Sequence, residues 1–114
     1  MLYERLLEGE NIIRFIGDLV NTPTLYKSKN GKDICRFTLQ RIRAGNSFVR
    51  VPCVLYSEEA RLFKRIADKG ARIEICGELG AIAGELVIVG GMFNALDERT
   101  KRAHRAIIEA AYSK

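Results

Sequence analysis

The chain has 114 residues, 47% of them hydrophobic, enough for one domain with a modest core and too few for two. Its formal net charge of +5, from 19 Lys and Arg against 14 Asp and Glu, favours nucleic acid or another polyanion as a partner and carries no information about fold. Cys35, Cys53 and Cys76 are widely spaced with no CxxC pair, which argues against a disulfide framework and a zinc site. A reducing cytoplasm is therefore the expected location. No apolar run approaches a membrane span, and Met1 to Glu8 alternates charge with Leu, unlike a signal peptide, so a soluble protein without a membrane partner is expected.

Residues 1–10 read as an N-terminal arm, with Leu2, Leu6 and Leu7 on one side of a short helical turn that Gly9 ends. Asn11 to Val20 reads as the first strand, with Ile13, Phe15 and Leu19 on one face and Gly17 marking a close approach or bend. Pro23 breaks it. Asn30-Gly31 is the strongest turn signal in the chain, because Asn-Gly accepts the positive φ angles of a tight hairpin. Asp33 to Arg43 follows as a strand alternating Cys35, Phe37 and Leu39 against Arg36, Thr38 and Gln40, and Ala44-Gly45-Asn46 forms the next turn.

Phe48 to Tyr56 is a β-branched strand that places Val49, Val51, Cys53 and Leu55 on a core face and Phe48, Arg50, Pro52, Val54 and Tyr56 on the other. Pro52 cannot donate to a ladder, so the strand is expected to be bulged or at an edge there. Ser57 is the expected N-cap of a helix with Leu62, Phe63, Ile66 and Ala67 as its apolar stripe and Gly70 as its stop. Arg61, Lys64, Arg65 and Lys69 read as a solvated face. Ala71 to Leu79 and Glu85 to Phe93 are two further strands around a turn at Gly80 to Gly84, giving the order β-β-β-α-β-β. Asp97 to Tyr112 is helical, with Arg99, Lys101, Arg102 and Arg105 opposite Ala103, Ile107 and Ala110; periodicity does not say whether it docks, dimerises or binds nucleic acid.

Catalysis has little material here. The single histidine, His104, lies in the basic terminal segment, Gly77, Gly80 and Gly84 precede no Gly-Lys-Ser/Thr, and no cofactor or metal is implied. Nucleic-acid binding has more: Tyr26, Phe48 and Tyr56, with Phe93 read as core, are interleaved with Lys27, Lys29, Lys32, Arg36, Arg41, Arg43 and Arg50. Aromatic rings stack on bases and cations follow phosphates.

Gly17-Asp18-Leu19 followed by Pro23, Asn30-Gly31-Lys32, Phe37-Thr38-Leu39, Val51-Pro52-Cys53-Val54, Lys69-Gly70, Ile73 to Leu79 and Val89-Gly90-Gly91 occur in an order and spacing that resembles the bacterial single-stranded DNA-binding protein family. To a lesser degree the chain resembles the primosomal replication protein PriB. The resemblance runs over residues 11–96 and implies an all-β, five-stranded Greek-key OB-fold barrel with one helix between strands three and four, followed by a basic C-terminal helix or tail over residues 97–114. It also implies single-stranded DNA binding in replication, recombination or repair, assembly as a homo-oligomer (dimer or tetramer), and replication proteins as partners. Tyr56 matches a family position that stacks on bases, whereas Arg50 stands where the family often has Trp or Phe. The chain has no tryptophan, its two hairpin loops at 44–46 and 80–84 are short, and residues 97–114 do not match the family's acidic recruiting tip, so neither long wrapping hairpins nor tail-mediated recruitment is expected. Two other readings stay open: an OB-fold interaction or scaffold module of a primosome-like complex, and an RNA-binding OB domain.

Overall fold

The computed structural model describes residues 11–112, and the expected arm over residues 1–10 lies outside them. The elements are β1 (Ile13–Leu19), β2 (Thr24–Lys27), β3 (Asp33–Ile42), β4 (Phe48–Tyr56), α1 (Ser57–Ile66), β5 (Arg72–Ile82), β6 (Glu85–Ala95) and α2 (Glu98–Tyr112), with a single 3-10 turn at Ala44–Asn46. The extra strand relative to the sequence reading is β2. Pro23 interrupts the first strand, and Thr24–Lys27 then pairs independently along the edge of β3.

Five strands close on one another. β1 pairs with β5, β5 with β6, β6 in parallel with β4, β4 with β3, and β3 returns to β1 through Asp18↔Gln40 and Leu19↔Leu39. Such a ring, mostly of β-structure and accompanied by two helices, is consistent with an OB-fold. The alternation of Cys35, Phe37 and Leu39 with polar residues works as expected: all three are buried, together with Leu55, Ile73, Ile75 and Ile88. Phe63 of α1 plugs the interior, stacked on Phe37 at 4.1 Å between centroids and edge-on to Phe93 at 5.0 Å. The three rings tie the helix to strands from both halves of the ring.

Several local expectations need correction. Ser57 does not cap α1; it is the first helical residue, with φ of +57°, and Tyr56 precedes it in extended conformation without any side-chain cap. The helix ends at Ile66, where the Ala67 N–H closes the last turn on Phe63, so Gly70 belongs to the following turn and donates to the Leu19 carbonyl. The β5–β6 loop is only Ala83-Gly84, and the strands run to its edges. Pro52 is not bulged, and of the two expected placements it takes the locally unpaired edge. Thr38, its register partner, spends its N–H on Asn21 Oδ1 and its carbonyl on the Val20 N–H, both away from β4. Proline's missing N–H therefore faces the other side, where pairing with β6 starts only at Cys53. The bulge is in β6 instead: Cys76 pairs with Met92 but Gly77 with Gly90, leaving Gly91 as the extra residue. That extra residue resets the alternation, so Ile88 and Phe93, of opposite parity, both reach the core.

α2 docks. Asp97 accepts the Thr100 N–H and hydroxyl through Oδ2 and the Arg72 N–H through Oδ1, fixing the start of the helix to β5. Partial burial raises the Asp97 pKa, but these donors outweigh it and hold the carboxyl below its ordinary value. Thr100 is buried, and Ala103 and Ile107 pack on the core.

Candidate nucleic-acid interface

Strand register decides which of the candidate side chains share a surface. Ile34 is the Cα partner of both Tyr26 on β2 and Tyr56 on β4, so the three form one row across the sheet, on the face opposite Cys35 and Leu55. Directly opposed side chains sit about 5 Å apart. Further along the same face Gln40 opposes Arg50 and Ile42 opposes Phe48. From Phe48 to Tyr56 the strand extends roughly 27 Å at about 3.4 Å per residue. Tyr26 is 39% exposed, Phe48 55% and Ile42 71%. Ile34 and Ile42 were not among the sequence candidates, although they share the alternation of Arg36 and were accessible by that signal.

A cation lies over each end of this face. The Lys32 ammonium is 5.3 Å from the Tyr56 ring centroid, and the Arg50 guanidinium is 4.9 Å from that of Phe48 while its Nε donates to Gln40 Oε1 at 2.7 Å. Lys32 is presented by the hairpin turn, where Gly31, at φ of +79°, allows the Lys32 N–H to reach Ser28 Oγ and its carbonyl to accept the Ser28 N–H. Lys29 sits on the tip of that turn. Lys27 is paired with Asp33 at 2.9 Å, and Arg61 of α1, absent from the sequence candidates, reaches the other oxygen of Asp33 at 2.5 Å. The hydrogen bond from Arg61, then that from Lys27, holds the Asp33 carboxyl below the usual carboxylate range. Lys27, Lys32, Asp33, Tyr56 and Arg61, together with Glu58 and Glu59, line a cavity of about 750 Å³.

The structure divides the remaining candidates. Arg36 shares the outer face but pairs with Glu85 of β6 at 3.1 Å, bridging over β4. Arg41 pairs in register with Val49, on the opposite parity from Arg50, and Arg43 lies at the hairpin tip with its N–H on the Ser47 carbonyl. These two point to the other side of the β3–β4 hairpin from Phe48. Among the described residues, Lys29, Arg41 and Arg43 form no ion pair.

Simple alternation also misplaces two valines. Val54, assigned to the outer face, is fully buried, and Val49, assigned to the core, is 36% exposed. Beyond Gln40 the hairpin extends past the pairing of β3 with β1, and before Cys53 β4 has no partner in β6. Its far end is therefore wet on both sides, while at Val54 both flanks are covered.

No group of three or more His, Cys, Asp or Glu among the described residues is arranged to hold a metal ion, and no helix there is long and apolar enough to cross a membrane. Cys35, Cys53 and Cys76 are free thiols.

A closed ring of five strands whose interior is filled from a helix, with an aromatic, cation-flanked outer face, defines a small β-protein of OB-fold kind. The chain belongs to the Single-strand binding protein family, whose sequence profile matches residues 10–91. A search of curated proteins finds no match to the chain. The family match ends inside β6, so α2 lies beyond it.

Proposed function

We propose that the protein binds single-stranded DNA with little sequence preference, in replication, recombination or repair, through the outer face of β2, β3 and β4. The observation that carries this reading is the register row Tyr26, Ile34 and Tyr56, continued by Arg50 and Phe48 along the same face. Every base has a π-face, so a platform of rings accepts any sequence, while Lys32, Lys29 and Arg50 supply charge beside it. Family membership supports the same substrate. A homo-oligomer, dimer or tetramer, is part of the proposal and is supported by Leu79, Leu86 and Met92, which stand exposed on the β5–β6 hairpin.

Fluorescence anisotropy with labelled single-stranded DNA, duplex DNA and RNA of one sequence tests the reading. Tightest binding to single-stranded DNA, weakening with salt, is expected. Equal affinity for duplex and single strand, or preference for RNA, overturns it.

A further inference from the structure

The basic residues of α1, solvated by sequence criteria, occupy two places in the structure. Arg61 lies in the wall of the cavity beside Tyr56. One turn on, Lys64 and Arg65, with Lys69 from the following loop, enter a second cavity of about 520 Å³ between the end of α1 and the start of α2. Arg99 of α2 completes it. The cavity holds four cations against two carboxylates, Asp68 and Asp97. Asp97 is committed to Thr100 and Arg72, and Asp68 approaches Arg99 at 3.5 Å with both side chains largely exposed. Lys64 donates to the neutral Pro23 carbonyl at 2.7 Å rather than to a carboxylate; Arg65 and Lys69 form no ion pair among the described residues.

We propose that a single strand leaving the stacking face at Tyr56 continues along α1 and lays its phosphates in the α1–α2 cavity, held by Lys64, Arg65, Lys69 and Arg99. The inference rests on the single-strand reading above and extends it to a surface whose α2 part, with Arg99, lies outside the family match. Two features favour a polyphosphate strand. The backbone N–H groups of Gly70 and Ala71 are already spent on Leu19 and Asp68, so the cavity offers mobile point charges rather than a preformed cradle for a small anion. The cations also run from the cavity beside Tyr56, where Arg61 shares the wall with Glu58 and Glu59, along a helix only about 15 Å long, a span that a few nucleotides cover. That continuity favours nucleic acid over an acidic peptide.

The test measures salt dependence of binding for oligothymidylates of about 5 and about 15 nucleotides, near the two ends of the site sizes of one such barrel. The double variant Arg65→Ala, Lys69→Ala alters exposed side chains and is expected to melt like the parent. On the long oligomer it should lower the slope of log affinity against log salt by about 1.4, about 0.7 for each lost phosphate contact, and leave the short one unchanged. Arg65→Glu with Lys69→Glu should weaken the long oligomer further and again spare the short. An unchanged slope on the long oligomer, or equal losses on both, overturns the inference while short-oligomer binding still upholds the single-strand reading. Failure of the parent to bind either oligomer overturns both. A polyglutamate peptide whose binding needs Arg65 and Lys69 while the DNA slope does not would assign the cavity to an acidic protein and also overturn the inference.

Discussion

Replacing Tyr56 by Ala separates the surface role assigned here from a packing role. The ring is half-buried at the end of β4, with Ile34 beside it and the Lys32 ammonium over it. In the free protein the substitution removes an exposed cation–π contact, about 0.5–1 kcal/mol, and part of a cross-strand pair. In the complex it removes a stacked base, about 1–3 kcal/mol, or roughly 5- to 150-fold in Kd. The loss should persist at high salt, because stacking involves no counterion release. Val54→Ala is the control from the same strand: the side chain is fully buried, and losing two methyl groups at about 0.8 kcal/mol each, plus some cavity cost, destabilises folding by about 2 kcal/mol. At about 4–8 °C per kcal/mol this lowers Tm by roughly 8–16 °C. Anisotropy titrations at two salt concentrations, with calorimetric melting of both variants, give the comparison. If Tyr56→Ala lowers Tm as far as Val54→Ala and leaves single-strand affinity within about twofold, against the stacking magnitude above, the placement of the binding face on β4 is wrong.

Gly77→Ala should be among the most damaging single-methyl changes, since a Cβ there would lie 2.0 Å from the Val89 carbonyl oxygen and 2.8 Å from Gly90 Cα. A loss of about 3 kcal/mol or more is expected by chemical denaturation; a near-neutral result would mean that the β6 bulge relaxes freely. The depressed Asp33 pKa makes its pairing with Arg61 and Lys27 a stabilising term that is full above the unfolded value of about 3.9 and lost as pH falls through the lower folded value. Asp33→Asn should accordingly flatten the acid limb of the stability profile below about pH 4, and an unchanged limb would refute the assignment. Burial pushes the Cys35 thiol up to about 11 and that of Cys53 up to about 12. Iodoacetamide at mildly alkaline pH should modify Cys76 while sparing both until the protein is denatured; early labelling of Cys53, read by peptide mass spectrometry, would contradict the closed ring.

Much of this architecture is legible in alternation and turn chemistry, because Cys35, Phe37 and Leu39 must face inward and Asn30-Gly31 must turn. Phe48, Arg50 and Tyr56 could likewise be grouped from spacing alone. What spacing does not carry is where a strand gains or loses its neighbours. The burial of Val49 and Val54 departs from the alternation, because exposure is set by how far β1 and β6 extend along the β3–β4 hairpin, which depends on pairing between distant segments. The partner of Arg36 and the second cation on Asp33 were invisible for a related reason. Glu85 comes beside Arg36 only through the parallel pairing of β4 with β6, and Asp33 joins Lys27 to Arg61 only once α1 has folded over the start of β3. The docking of α2 likewise joins distant segments, since Asp97 caps the helix with one oxygen and holds the Arg72 N–H of β5 with the other, while Ala103 and Ile107 pack on the core.

The ring has unequal seams. β3 with β4, and β5 with β6, are long antiparallel hairpins of sequence neighbours, whereas β1 meets β3 and β4 meets β6 at two residue pairs each. Local opening follows the weakest joints, so the amide proton of Val20, which crosses the β1–β3 seam to the Thr38 carbonyl, belongs to the part that breathes first, while the hairpins persist as cooperative units. The face carrying Tyr26, Tyr56, Arg50 and Phe48 lies wholly on the β3–β4 hairpin and the strand added to its edge. Parting of either seam leaves the relative spacing of its rings intact, so the surface that meets a strand is insulated from the breathing of the ring that supports it.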